Sequence, residues 1–229
     1  MAQNSEIVAA NKLARDEILG SVSRNLAASL AKDEVHRRHH GQTAVSEEKL
    51  ISSVTKEQLI DNFRQSLEAV GGHFIFVTSE DEAADHAATV FSKIGGSRVA
   101  ISDSPIVKRL TAKLGAEEIV ENASAEFLFN CDLGITGAQW VIAETGTLVL
   151  ESESESHRLT SLVPPVHLCI LAAANIRQTL SEILEITSKK LSRTITFITG
   201  ASRTSDIELT LAIGVHGPAE LHVIVIGDQ

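Results

Sequence analysis

The alternation of short apolar runs with capped amphipathic segments between Thr55 and Gly115 restricts this chain to one fold class. Thr55-x-x-Gln58 has the form of a capping box, and Leu59, Phe63, Leu67 and Val70 continue a helical stripe that Gly71-Gly72 ends. His73 to Thr78 reads as a short strand without clean alternation, the pattern of burial on both faces. Ser79-x-x-Glu82 opens a second helix that closes at Gly95-Gly96, and Ser97 to Ser102 forms a second strand. Pro105 suits the first position of a third helix that ends near Gly115. Strand, helix, strand, helix at this spacing predicts an α/β chain with a parallel sheet and crossover helices. Further strands are predicted over 127–135, 166–171, 194–199 and 221–226, with a helix over 176–191.

Residues 6–31 carry a separate helical period, with Ile18, Val22, Leu26 and Leu30 on one stripe. His36-Arg-Arg-His-His-Gly41 and polar residues follow, which reads as a solvated linker, because no Cys, Asp or Glu stands at ligand spacing within it. The reading is an N-terminal helical arm and linker over 1–45 and a main domain over 46–229, with no metal site on this chain. The net charge of −10 argues against nucleic acid or an anionic membrane as partner. The longest apolar stretch, Leu168 to Ala174, is far too short to span a bilayer. The N-terminal residues lack the cationic and apolar regions of a signal peptide, so a cytoplasmic protein is expected. Cys131 and Cys169 lie in or beside apolar runs and read as buried thiols. Two cysteines exclude a four-thiolate cluster within this chain.

Chemistry concentrates between Asp132 and His167. Gly134-Ile-Thr136-Gly137 reads as a turn that feeds a buried strand from Trp140. Glu144-Thr145-Gly146-Thr147 then interrupts the apolar run before Leu148. A charge between β-forming runs is expected near the interior with hydrogen-bond partners. It caps its own loop in a tight hairpin, or it serves a binding site for which the glycines and hydroxyls supply donors. Gly200-Ala-Ser202-Arg203-Thr204-Ser-Asp206 leaves a strand with a guanidinium and hydroxyls, which suits a carboxylate or phosphate. The same residues allow an internal pair of Arg203 with Asp206 or Glu208. Arg158-Leu-Thr-Ser161 ahead of Pro164-Pro165 offers a second arginine with hydroxyls. His216, in Gly214-Val-His-Gly-Pro218, is a candidate general acid or base, or a structural hydrogen-bonder. His167, which opens a strand after the two prolines, is a weaker candidate. No G-x-G-x-x-G follows a strand, so a Rossmann dinucleotide site is not indicated.

GITGAQWVIAETGTLVL, RLTSLVPP, SRTSDIE and GVHGPAELHVI occur in this order. Together they resemble the LUD-domain family, specifically its lactate-utilisation protein C branch, over nearly the whole chain. The resemblance implies the fold of ribose-phosphate isomerase, glucosamine-phosphate deaminase and the CoA transferases, a Rossmann-like, mostly parallel sheet with flanking helices and with sites at its carboxyl edge. It implies a component of L-lactate oxidation to pyruvate that works with iron–sulfur partner subunits and carries no cofactor of its own. Glu144 is then the candidate catalytic residue together with His216. Thr136, Gly137, Gln139, Thr145, Gly146, Thr147, Arg158, Ser161, Gly200, Ser202, Arg203, Thr204 and Asp206 are the candidate binding residues for a small carboxylate or phosphate. Many members of the family place an acidic residue after Gly-Ala, where this chain has the neutral Gln139. The alternative is a self-sufficient acyl- or CoA-transferase-like or isomerase-like enzyme using Glu144, by analogy with a nucleophilic glutamate in an E-x-G setting. Either way, the loops bearing Glu144 and Arg203 are expected to face one pocket at the carboxyl rim.

Overall fold

A computed structural model describes residues 15–24, 54–153, 158–205, 211–214 and 217–227. The chain divides into two compact units, Met1–Ser53 and Val54–Gln229. In the first, residues 15–24 are helical. The remainder of the expected arm helix, the histidine-rich linker and the expected boundary near residue 45 lie outside the described residues.

The second unit is built on a six-stranded, wholly parallel sheet, as the strand–helix spacing requires. Its strands, in spatial order, are β1 (His73–Val77), β12 (Glu220–Ile226), β7 (Val166–Ala172), β4 (Leu133–Gly137), β2 (Arg98–Ile101) and β3 (Glu118–Glu121). A second sheet of four strands contains β8 (Ile176–Arg177), β5 (Trp140–Ile142), β6 (Thr147–Glu151) and β9 (Ile195–Thr199). A two-stranded ribbon joins β10 (Arg203–Ser205) to β11 (Leu211–Ile213).

Helix α1 (Lys56–Ala69) starts as the sequence dictates. The Gln58 N–H donates to Thr55 Oγ1 at 3.3 Å, and the Thr55 N–H donates to Gln58 Oε1 at 2.9 Å. Thr55→Ala breaks this reciprocal cap, for an expected cost of about 1 kcal/mol and a Tm lower by roughly 2–4 °C in a chain of this size. A scanning-calorimetry Tm equal to that of the parent chain would refute this. Helix α2 (Glu80–Ile94) is capped by Ser79 and carries three acidic residues in its first turn, which favour the positive end of the helix dipole. Helices α3 (Pro105–Thr111), α4 (Ala125–Phe129) and α5 (Leu180–Ser188) complete the set.

The period-2 alternation of the central strands divides the core between two faces. Leu133, Ile135, Leu168, Ile170, Ile224 and Ile226 pack with α2 and α3. Cys169, Leu171, Leu221, Val223 and Val225 pack with Phe63 and Leu67 of α1 and Leu148 of the second sheet. Both cysteines are buried, and burial pushes the Cys131 thiol pKa up. No helix of the described residues is long and apolar enough to cross a membrane.

Four local expectations are corrected. Gly134 to Gly137 are not a turn but the wholly buried strand β4. Its glycine is forced by close packing: a Cβ at Gly134 would stand 2.0 Å from the Thr160 carbonyl oxygen. Residues 127–130 are not strand. Ser124 accepts the Phe127 N–H and opens the short helix α4. The helix expected from Ile176 begins only at Leu180, after the Thr179 cap, because Ile176–Arg177 pair with β5 as β8. Strand β1 is not buried on both faces. It is a sheet edge, with Phe76 45% exposed.

Candidate functional site

Three of the four sequence motifs converge on one cavity of about 320 Å³. It opens at the amino ends of β7 and β12, where they approach the β9–β10 connection. Its lining includes Ser161, His167, Gly200, Ser202, Arg203 and Gly217. The cavity therefore lies at the amino edge of the parallel sheet, not at the carboxyl edge where sites of this fold are expected.

Each wall has a local cause. The chain leaving β9 passes directly over the end of α1 at Gly200, which has φ +73°. A Cβ there would stand 2.4 Å from the Val70 carbonyl oxygen, so no other residue fits without strain. Arg203 then reaches back, and its Nη2 donates to the same Val70 carbonyl at 2.7 Å. A cation on the last carbonyls of a helix is favoured by the helix dipole. This bond takes one of the five guanidinium donors. Ser202 is fixed through its backbone: its N–H donates to the Pro218 carbonyl (2.8 Å), and its own carbonyl accepts the Gly214 N–H (2.9 Å). Ser161, buried, donates its hydroxyl to the Arg158 carbonyl at 2.8 Å.

His167 forms part of the wall and is wholly buried. Its Nε2 lies 2.8 Å from Thr136 Oγ1, while Nδ1 has no hydrogen-bond partner among the described residues. Burial drives its pKa from the ordinary 6.5 down to about 3. The imidazole is therefore neutral at physiological pH, and it acts as a polar anchor rather than as a charge. An unsatisfied buried nitrogen costs stability unless something meets it, and the residue that carries it lines the cavity.

The Glu144 turn reaches the cavity only through hydroxyls. Thr145 Oγ1 and Thr147 Oγ1 are 2.7 Å apart, and Thr147 Oγ1 is 2.7 Å from Thr199 Oγ1 on the cavity wall. Gly146 lies against the backbone of Ser66 and Leu67 in α1. Glu144 itself is exposed, contrary to the expectation of a near-interior charge. Its Oε1 accepts the Leu180 N–H at 3.0 Å, so it caps α5 and not its own loop. Glu144 does not line the cavity that holds Arg203, nor does Arg158, which is exposed. The single carboxyl-rim pocket shared by Glu144 and Arg203 is not what the chain builds.

Gly137 and Gln139 lie at the opposite, carboxyl edge of the parallel sheet. They border a separate cavity of about 530 Å³ with Trp140, Glu151 and Asn175. Gln139 Oε1 accepts the Glu151 N–H at 2.6 Å, and Glu151 accepts from Trp140 Nε1 (3.1 Å) and from Ser192 Oγ (2.8 Å). The neutral side chain at position 139 thus holds the β5–β6 pair together. Thr204 belongs to β10. Asp206 and His216 lie outside the described residues.

The LUD-domain family profile matches residues 60–226. The chain belongs to the LUD-domain family. It is 34% identical over 197 residues to an uncharacterized protein of Neisseria meningitidis, covering 84% of this chain and 78% of that one. It is 30% identical over 178 residues to the lactate utilization protein C of Deinococcus radiodurans, covering 76% and 82%. With the protein of that name from a Geobacillus strain it shares 27% over 240 residues, covering 96% and 93%. The crystal structure of a DUF162 family protein from Deinococcus radiodurans superposes with a TM-score of 0.58 at 26% identity, over 76% of this chain and 99% of that one. This LUD domain therefore has the mixed α/β architecture that its sequence implies.

One feature of the LUD domain escapes a reading by motif: Thr199, which completes the hydroxyl chain, stands at the end of an ordinary apolar strand. His167, the weaker histidine candidate of the sequence, gains weight from its depth.

Proposed function

We propose that this LUD domain is a lactate-utilisation protein of the C type, which holds a small 2-hydroxy or 2-oxo acid in the cavity beside Arg203. The observation that carries the reading is the convergence of Ser161–Leu162, Gly200–Arg203 and Gly217–Pro218 around one buried, neutral imidazole. A guanidinium suits the carboxylate. The hydroxyls of Ser161 and Ser202 and Nδ1 of His167 suit the oxygen on the neighbouring carbon. The names of the relatives supply the acid: lactate, or pyruvate as its product.

Electrons from such an oxidation pass, in this reading, to iron–sulfur partner subunits. This chain has only two cysteines, too few for a four-thiolate cluster. The acyl-transfer alternative needs a Glu144 oxygen in the cavity, and Glu144 is instead engaged at the start of α5.

Thermal shift tests the reading. L-lactate or pyruvate at a hundred times its Kd is expected to stabilise the chain by about 2.7 kcal/mol, or roughly 5–10 °C in Tm. Ser202→Ala is expected to reduce that shift and Arg203→Ala to abolish it, while Glu144→Gln leaves it intact. CoA and sugar phosphates are expected to give none. A pull-down at native expression is expected to recover cysteine-rich iron–sulfur proteins. The reading fails if neither acid shifts Tm, or if the shift survives Arg203→Ala.

A further inference from the structure

A second polar cluster lies on the opposite face of the parallel sheet, the face packed by α2. In β12, Glu220 and His222 are two residues apart, so both side chains point to one side. In β1, His73 is in register with His222 across a parallel pair, which brings it to the same side. The two imidazoles stack with centroids 4.5 Å apart. His222 Nε2 lies 3.2 Å from Glu220 Oε2. One ligand atom from each of the three residues falls within a mutual 4.8 Å, and among the described residues this is the one such group of His, Cys, Asp or Glu side chains. They border a cavity of about 380 Å³, into which Lys93 also projects.

We infer that His73, Glu220 and His222 form a binding site for a divalent transition metal of the zinc class, with a fourth position open to water. Two imidazoles and one carboxylate are a donor set that such a metal prefers, and calcium or magnesium would want more oxygen. Bonds of 2.0–2.2 Å in a tetrahedron put neighbouring ligand atoms roughly 3.3 Å apart. The His222–Glu220 pair already has that spacing. His73 and Glu220 are exposed at their strand starts, so side-chain rotation can close the remaining gap without moving the sheet. Lys93 is likewise exposed, and its flexible stem lets the ammonium turn to solvent as the cation enters. The sequence gives no hint of this site, because only the pairing of the first and last strands assembles it. A bound metal would fasten the edge strand β1 to its single neighbour, β12.

The test is zinc titration of the full, chelator-treated chain against a chromophoric competitor, with the visible spectrum of the cobalt-loaded chain as a geometric readout. One zinc per chain is expected, with a Kd of micromolar or below and the intense visible bands of four-coordinate cobalt. His73→Ala and His222→Ala are each expected to weaken binding at least tenfold. Glu220→Gln, a mild change at an exposed position, is expected to weaken it severalfold and to alter the cobalt spectrum. Replacing His36, His39 and His40 together with alanine is expected to leave both readouts unchanged. The proposal is overturned by absence of stoichiometric zinc binding, by undiminished binding in the His73→Ala/His222→Ala double variant, or by loss of binding in the linker variant.

Discussion

Gly134→Ala is expected to destabilise the chain by about 3 kcal/mol or more, because overpacking against rigid backbone has no cheap relaxation. The added methyl would stand 2.0 Å from the Thr160 carbonyl oxygen and 2.9 Å from Pro164 Cγ. Neither obstacle is the free end of a flexible side chain. Gly134 pairs with Ala100 on one side and His167 on the other, so β4 cannot shift without disturbing both neighbours. The segment carrying Thr160 and Ser161 must lift instead, and Ser161 is part of the cavity wall. Two readouts should therefore move together. Tm is expected to fall by roughly 6–12 °C, and the stabilisation conferred by lactate or pyruvate should shrink at temperatures where the variant is still folded. A variant with the parent Tm would show that the 158–165 segment yields freely, and the packing account would be wrong.

That glycine also shows where the sequence was readable. Local rules sufficed wherever the cause lay within a few residues: the Thr55–Gln58 box, the Ser79 cap and the left-handed Gly95 all sit where their chemistry predicts. They failed where the cause came from afar. Gly134 and Gly137 look like turn residues, but the close approach of Thr160 explains a glycine inside a strand. Glu144 looks like a site residue because it interrupts an apolar run, yet the start of a helix 36 positions later claims its carboxylate. The motifs identified the cavity's walls well, since Ser161, Gly200, Ser202 and Arg203 do meet. The edge of the sheet at which they meet was not readable. It depends on the amino ends of β7 and β12 lying side by side, and no spacing within either segment encodes that register.

Replacing His167 with glutamine is expected to flatten the pH dependence of stability between pH 6.5 and 4.5. In the folded chain the His167 pKa is lowered to about 3, against 6.5 for an imidazole in water, and burial is the cause. Below pH 6.5 the unfolded chain therefore takes up a proton that the folded chain refuses. The stability contributed by a neutral His167 is complete above pH 6.5 and is lost progressively as pH falls towards 3. Each pH unit inside that window costs up to about 1.4 kcal/mol, or roughly 2 kcal/mol between pH 6.5 and 4.5. Burial also lowers the pKa of His222, which adds a loss of the same sign, but the variant retains it, so the difference between the two curves isolates His167. The carboxyls of Glu80 and Glu82, held low by Arg109 and by the Thr78 N–H respectively, contribute their own acid losses and are common to both chains. Urea unfolding at half-unit pH steps provides the measurement. The glutamine chain starts less stable, because a buried amide replaces the ring that met Thr136, but its slope should be shallower. Superimposable slopes would mean that the imidazole is hydrated in solution, and Nδ1 could then not be the dry polar anchor that the acid-binding reading requires.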